Sequence, residues 1–114
     1  MRIIVCGGRN YSDRTTVTRI LGTLDSRTTT IIHGNAPGAD RLAATIAADY
    51  GFRVESYPAD WDTHSRAAGP IRNQQMLDAG ADLVIAFPGG RGTTDMSNRA
   101  QRAGVPVLKV MQDG

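Results

Sequence analysis

The sequence predicts an α/β fold in which a parallel sheet of five strands is covered on both faces by four helices. Short apolar, β-branched runs recur along the chain, and segments with apolar residues at helical spacing separate them. Because strands that alternate with helices are joined by right-handed crossovers, the strands are expected to be parallel and to form the middle of three layers. Since no repeat, linker or low-complexity segment occurs, residues 1–114 are expected to form a single domain.

The predicted strands and helices alternate from one end of the chain to the other. The strands are RIIVC, TTIIH, RVESY, DLVIAF and VPVLKV. The first helix is predicted in TTVTRILGTL, where Val17, Ile20, Leu21 and Leu24 have helical spacing. The second and third helices, ADRLAATIAADYG and GPIRNQQMLDAG, each close on a glycine, which commonly ends helices. The fourth helix is TDMSNRAQRAG.

The composition disfavours several classes of function. The formal net charge is +2, without the basic stripe of a nucleic-acid-binding protein, so nucleic acid is not an expected partner. There is no run of 18 apolar residues, and the single cysteine excludes an intrachain disulfide and a cysteine-built metal site. MRIIVCGG lacks the pattern of a signal peptide, so a cytoplasmic protein is expected, with no metal and no cofactor. Cys6 and His33, at strand ends, are expected to pack in the core.

Unusual residues follow the predicted strands and not the predicted helices. The first, second and fourth strands run into GGRNYSD, GNAPGAD and PGGRGTT, whereas the links after the helices are DSRT, YGF, AGA and AGV. Open parallel sheets bind ligands beyond the carboxyl ends of their strands, where the strand order reverses. The asymmetry therefore predicts a ligand-binding cleft at the carboxyl edge of the sheet.

The loop PGGRGTT has the composition of a phosphate-binding turn. Glycine permits positive φ and leaves no Cβ against a ligand, and successive N–H groups in such a turn can converge on an anion. The helix that follows begins with a positive dipole end. Thr93 is interpreted as the helix N-cap, as a hydroxyl donor to phosphate, or as both. The predicted phosphate contacts are Pro88, Gly89, Gly90, Arg91, Gly92 and Thr93.

The other two glycine loops are predicted to form further walls of the cleft. In GGRN, Gly7 and Gly8 permit close approach, and Asn10 supplies a donor. Arg9 is either a second donor or a solvated side chain. In GNAPGAD, Asp40 either caps the next helix, holds ribose hydroxyls or fixes the loop. The candidate ligand contacts of this second loop are Gly34, Asn35, Ala36, Gly38 and Asp40.

The segment after the third strand, WDTHSRAAGPIRN, supplies the remaining candidates. Trp61 either stacks on a base or covers the core, with cover slightly favoured. His64 is either an acid or base near neutral pH or a solvated side chain. Arg72, early in its helix, is predicted to close over a phosphate, and Asn73 beside it is a further candidate ligand contact.

Four motifs, in their order along the chain, resemble the SLOG superfamily, a nucleotide-binding group that includes the Lonely Guy enzymes and the DprA core. They are GGRNYSD, GNAPGAD, AGPIRN and PGGRGTT, and the resemblance is greatest to the YspA-type, YpsA-related branch. It implies a Rossmann-like three-layer fold that binds nucleotides or ADP-ribose-like ligands. It further implies phosphate contacts at Gly89, Gly90, Gly92 and Thr93, and a homodimer or a larger assembly.

One departure from the Lonely Guy pattern bears on catalysis. Those enzymes release the base from nucleoside monophosphates, and their motif is PGGxGT, two residues and then a catalytic glutamate, which is Met96 here. Asp95 lies one position earlier, about 100° away around a helix, and Arg72 matches their catalytic arginine. A sensor or sequestering module is therefore predicted. The alternative is a phosphoribohydrolase or N-glycosidase that uses Arg72 with Asp95 or His64.

Two further expectations concern the arrangement of the elements. The strand order 3-2-1-4-5 is predicted because it brings GGRN and PGGRGTT together as walls of one cleft. The flavodoxin-like order 2-1-3-4-5 would instead place the third strand beside the first. The last two helices carry small or apolar side chains that predict a homodimer or tetramer formed through them, near the cleft. These residues are Met76, Leu77, Met96, Ala100 and Ala103.

Overall fold

The computed structural model describes residues 1–111 and contains one parallel sheet of five strands. The strands are β1 (Arg2–Cys6), β2 (Thr30–His33), β3 (Arg53–Ser56), β4 (Leu83–Ala86) and β5 (Val107–Lys109). Their order is β3-β2-β1-β4-β5, and every neighbouring pair is parallel. The predicted α/β fold and its strand order are confirmed, and the flavodoxin-like alternative is wrong.

The four helices predicted from the sequence are present, together with one further turn of helix. The helices are α1 (Arg14–Leu21), α2 (Ala39–Asp49), α3 (Trp61–His64), α4 (Ala68–Asp78) and α5 (Arg91–Arg102), with a 3₁₀ turn at Ser65–Ala67. The additional helix is α3, which is too short to give a periodic apolar pattern in the sequence. None of the helices within residues 1–111 is long and apolar enough to cross a membrane.

The sheet separates two apolar cores, one on each face. Ile3 and Val5 of β1 pack with α1 and α2, whereas Ile4 and Cys6 of the same strand pack with α4 and α5. Because β1 is buried on both faces, its sequence is a continuous apolar run and does not alternate with polar residues. The helices therefore form the two outer layers, and the carboxyl ends of all five strands meet at one edge.

The apolar residues that predicted a subunit interface lie in the second of these cores. Met76 and Leu77 of α4 are buried against the sheet with Met96 and Ala100 of α5, while Ala103 at the end of α5 is exposed. The interpretation of the four buried residues as an interface is therefore wrong, since they cover the chain's own sheet. A homodimer or tetramer stays a prediction without this support.

Candidate functional site

The loops after β1, β2 and β4 are joined to one another at the carboxyl edge of the sheet. Cys6 and Ala86 are register partners at the ends of β1 and β4, so those two loops begin side by side. The Gly8 N–H donates to the Pro88 carbonyl at 2.9 Å, and the Gly8 carbonyl accepts from the Ala39 N–H at 3.1 Å. Gly8 thus connects the loop after β1 to both of its neighbours.

Several loop glycines are required because other protein atoms lie against them. A Cβ at Gly7 would lie 2.5 Å from the Ala39 Cβ, and a Cβ at Gly89 would lie 2.6 Å from the Gly8 nitrogen. Gly38 has a φ of +81°, which other residues rarely adopt, and it lies directly against the Gly8 carbonyl. The close approach predicted at these positions is therefore an approach of one loop to another.

Gly90 and Gly92 differ from these glycines, because a Cβ at either position would meet no atom within 4 Å among the residues described. Gly90 is the N-cap of α5, and no side chain in residues 1–111 caps this helix. The first N–H groups of α5 and the positive end of its dipole therefore lie open at this edge of the sheet. Thr93 is the third residue of α5, so its interpretation as the N-cap is wrong.

A cleft of about 1030 Å³ lies between these loops and the helices that follow β3. Predicted residues that line it from the loops after β1 and β2 are Gly7, Gly8, Arg9, Asn10, Ala36 and Asp40. Residues 88–93 line it too, together with Trp61, Arg72, Asn73 and Asp95. Gly34, Asn35, Gly38 and His64 are not among its lining residues.

Five lining residues were not predicted from the sequence. They are Cys6, Tyr11, Arg66, Gly69 and Pro70. Tyr11 lies in the motif GGRNYSD and Gly69 and Pro70 lie in AGPIRN, so extending the candidate contacts to whole motifs would have included them. Arg66 lies in the 3₁₀ turn, inside the segment WDTHSRAAGPIRN, but it was not assigned as a ligand contact.

Asp40 fixes the loop after β2, which is one of the three roles considered from the sequence. Its side chain is 5 % exposed, and its carboxylate accepts from the Gly34 N–H at 2.8 Å and the Ala36 N–H at 3.4 Å. Burial raises the pKa of Asp40, while the hydrogen bond from Gly34 and the charge of Arg72 act in the opposite direction. The N-cap of α2 is Gly38, so the capping role of Asp40 is wrong.

Arg72 extends from α4 to the loop after β2. Its Nη1 donates to the Gly34 carbonyl at 2.5 Å, and its Nε donates to Asn73 Oδ1 at 3.0 Å. A Cβ at Gly34 would overlap the guanidinium, so any other residue there would displace the end of the Arg72 side chain. Burial lowers the pKa of Arg72 and the charge of Asp40 raises it. Arginine stays protonated at physiological pH, so the group is a half-buried cation in the cleft wall.

Asp95 lines the same cleft, but its carboxylate is already bound by two side chains. Oδ2 accepts from Asn73 Nδ2 at 3.0 Å and from Arg99 Nε, one turn along α5, at 2.9 Å. The next residue, Met96, stands at the position of the Lonely Guy glutamate and is fully buried in the core. A side chain at position 96 therefore points away from the cleft.

Arginine side chains make the cleft positive. Arg9, Arg66, Arg72 and Arg91 line it, and within residues 1–111 no ion pair involves Arg9, Arg66 or Arg91. Arg9 is near enough to Arg72 for its charge to add to the effect of burial in lowering the pKa of Arg72. The lining contains four arginines but only two carboxylates, Asp40 and Asp95, so its formal charge is positive.

Two aromatic rings line the cleft, one of them largely exposed. Trp61, the first residue of α3, is 53 % exposed and belongs to neither core, so the expectation that it covers the core is wrong. The Tyr11 ring packs on Phe87 with centroids 5.3 Å apart. His64, at the other end of α3, is exposed and lies outside the cleft lining.

His33 and Cys6 are buried, as expected for residues that pack in the core. His33 Nδ1 accepts from the Asn35 N–H at 3.0 Å, which helps to hold Asn35 at its positive φ of 55°. Burial lowers the pKa of His33, and the charge of Arg72 lowers it further. Burial raises the pKa of Cys6 to about 12, so its thiol stays protonated beneath the cleft.

Comparison with known proteins identifies a family, a phage relative and a solved structure with the same fold. The sequence model of the YAcAr family, described as the YspA, cpYpsA-related SLOG family, matches residues 1–64. The Gene 61 protein of Mycobacterium phage D29 is 41 % identical over 117 residues, which cover 94 % of each chain. The X-ray structure of TM1055 superposes with a TM-score of 0.70 at 19 % identity, over 93 % of this chain and 71 % of that one, and supports the fold alone.

Proposed function

The chain belongs to the YspA, cpYpsA-related SLOG family, and on this premise we propose that it binds a nucleotide or an ADP-ribose-like ligand at the carboxyl edge of its sheet. It acts as a sensor or sequestering module and not as a hydrolase. The observation that carries the proposal is the uncapped first turn of α5, which is left open by Gly90 and Gly92 and lies at a cleft lined by arginines.

A phosphate group suits the first turn of α5 chemically. Its oxygens accept hydrogen bonds from the free N–H groups, and its negative charge is stabilised by the helix dipole. The hydroxyl of Thr93, on the same turn, is a further donor, and neither Gly90 nor Gly92 places a side chain in the way. Asp95 opposes a bound anion less than a free carboxylate would, because it is paired with Arg99.

The charge and size of the cleft favour a ligand with more than one negative group. Arg9, Arg66 and Arg91 come from the loop after β1, the 3₁₀ turn and the start of α5, so an extended ligand can contact them at separate points. Each guanidinium fork suits bidentate contact with phosphate. The volume of about 1030 Å³ is at the upper end of the range usual for small-molecule sites. ADP-ribose, with two phosphates, is therefore expected to bind more tightly than AMP.

The base of the ligand is proposed to stack on the exposed ring of Trp61. A half-exposed indole at the rim of a cleft provides a flat apolar surface, on which a base stacks whatever its hydrogen-bonding pattern. If this is correct, Trp61→Leu weakens binding of ADP-ribose but not of ribose 5-phosphate, which has no base. Equal weakening of both ligands would show that Trp61 acts elsewhere.

Binding without cleavage is proposed because the carboxylates of the cleft are already engaged. Base release needs a carboxylate beside the ribose, where positive charge develops. Oδ2 of Asp95 is already shared between Asn73 and Arg99, so part of its charge is compensated, and Asp40 is bound to the loop after β2. Met96 cannot ionise and is buried in the core.

The proposal is tested by calorimetric titration of the protein with AMP and ADP-ribose. The Cβ of Gly90→Val would meet no atom within 4 Å among the residues described, and its methyl groups would occupy space beside the first turn of α5, so the fold is expected to survive while affinity falls by more than about tenfold. Ala103→Val, at the exposed opposite end of α5, is the matched control and is expected to bind normally. A folded Gly90→Val variant that binds as tightly as the wild type, or a wild type that binds neither ligand, would refute the proposal.

A further inference from the structure

Asn73 is a buried polar residue whose side chain joins three parts of the site. It is 4 % exposed and lies in the middle of α4. Its Oδ1 accepts from Arg72 Nε at 3.0 Å, and its Nδ2 donates to the Gly92 carbonyl at 3.3 Å and to Asp95 Oδ2 at 3.0 Å. One amide group therefore links Arg72 to the first turns of α5.

The chemistry of these partners permits only one orientation of the amide. A guanidinium only donates, so Arg72 must face the oxygen of Asn73, while the carbonyl of Gly92 and the carboxylate of Asp95 only accept, so they must face the nitrogen. Turning the amide over would oppose donors to donors and acceptors to acceptors in a buried position, which is costly. Both N–H groups of Asn73 are used within the protein, and none remains for a ligand.

Arg72, in contrast, keeps donors that form no hydrogen bond within residues 1–111 and are available to a ligand. A guanidinium has five N–H groups, and the hydrogen bonds to Asn73 and Gly34 use one each. The three that remain belong to Nη1 and Nη2, at the outer end of the fork. Because the two fixed bonds are made by Nε and Nη1, the plane of the guanidinium cannot rotate without breaking one of them.

We infer that Asn73 is a positioning residue, which orients the Arg72 guanidinium and the first turn of α5 so that both bind the same anionic ligand. This inference rests on the proposed function and revises the assignment of Asn73 as a ligand contact. Its effect on affinity passes through Arg72 and α5. Removing Asn73 therefore removes the contribution of Arg72 as well, and the two substitutions are not additive.

The first test needs no ligand and follows the Nε–H signal of Arg72 by nuclear magnetic resonance. In the wild type this proton is expected to exchange slowly with water, because it is held against the buried Asn73 Oδ1 in a partly buried hydrogen bond. Asn73→Ala is expected to speed its exchange. A folded Asn73→Ala variant that keeps slow exchange at Arg72 would overturn the inference, even if the wild type bound no nucleotide and the proposed function failed.

The second test is a double-substitution cycle measured with ADP-ribose. Arg72→Ala is expected to weaken binding by about tenfold to a hundredfold, the usual range for a charge-assisted hydrogen bond. Adding Arg72→Ala to Asn73→Ala should weaken binding by less than about threefold more, because Asn73→Ala already removes the contribution of Arg72. Gln74→Ala is the control, because Gln74 also joins α4 to α5, through Arg99 at 3.1 Å, but does not line the cleft. Gln74→Ala should bind ADP-ribose as tightly as the wild type. Fully additive effects of Arg72→Ala and Asn73→Ala would overturn the inference.

Asn73→Asp distinguishes the link from Asn73 to Arg72 from the link to α5. It also tests the inference if Asn73→Ala does not fold. It keeps the size of the side chain and an acceptor for Arg72, but it removes both donors and places a second carboxylate beside Asp95. Slow exchange at Arg72 should survive while ADP-ribose affinity falls at least about tenfold, because the link to α5 is broken and a negative charge is added near the anionic ligand. An unchanged affinity in this variant would show that Asn73 does not position α5.

Discussion

Gly89 and Gly90 are neighbours in the sequence, but replacing them with alanine is expected to have opposite consequences. A Cβ at Gly89 would lie 2.6 Å from the Gly8 nitrogen and 2.9 Å from the Gly7 carbonyl carbon, both of them backbone atoms that cannot rotate away. A Cβ at Gly90 would meet nothing within 4 Å among the residues described. Gly89→Ala is therefore expected to destabilise the fold, and Gly90→Ala is expected to leave it intact.

The geometry also sets the expected loss of stability for each substitution. Overpacking of this kind costs about 1–3 kcal/mol, so Gly89→Ala should lower the melting temperature by about 4–20 °C for a domain near this size. Gly90→Ala should change the free energy of unfolding by less than about 1 kcal/mol, because alanine also restricts the unfolded chain relative to glycine. Calorimetric melting of both ligand-free variants beside the wild type measures the difference. If Gly89→Ala melts with the wild type, or Gly90→Ala melts as low as Gly89→Ala, the assignment of the two glycines is wrong.

Three further predictions concern pH, the opposite edge of the sheet and turnover. Burial lowers the pKa of His33 in the folded state. Its contribution to stability is therefore present above its unfolded pKa and is lost as pH falls through its folded pKa. Urea unfolding from pH 7 to 5 should show a smaller fall in the free energy of unfolding for His33→Asn than for the wild type. Glu55→Gln breaks the paired hydrogen bonds to Arg2 at the opposite edge of the sheet. Because both side chains are about one third exposed, the free energy of unfolding measured in urea should fall by less than about 1 kcal/mol. The affinity for ADP-ribose should not change. Chromatography should detect no base released from AMP or ADP-ribose; robust release that disappears in Arg72→Ala would instead establish a glycosidase.

The fold was predictable because its signals are local. The run RIIVC lies between two helical layers, and burial on both faces makes it continuously apolar. The strand order followed from a functional constraint, namely that two glycine loops must meet at the edge where the order reverses. α3 was not predicted, because its single turn depends on the cap at Asp60 and not on a periodic apolar face.

The roles of individual site residues were harder to predict, because each depends on contacts between distant segments. Gly8 and Pro88 lie 80 positions apart and meet only in the fold, so the sequence could not distinguish a glycine packed on another loop from one open to a ligand. Asp40 and Thr93 were considered as caps, but each lies inside its helix, beyond a glycine N-cap. An error of a few residues in a helix boundary is enough to change such a role.

The interlocked glycine loops also indicate how this site would gain affinity. Gly8 is bonded to the loops on both sides, and Asp40 holds the loop after β2 from within. Binding therefore orders little backbone, and the cost of fixing flexible groups falls mainly on exposed side chains such as Arg9 and Arg91. Since these exposed arginines lie outside both cores, substitutions of them should change affinity without changing stability. Substitutions at Gly8 should change both.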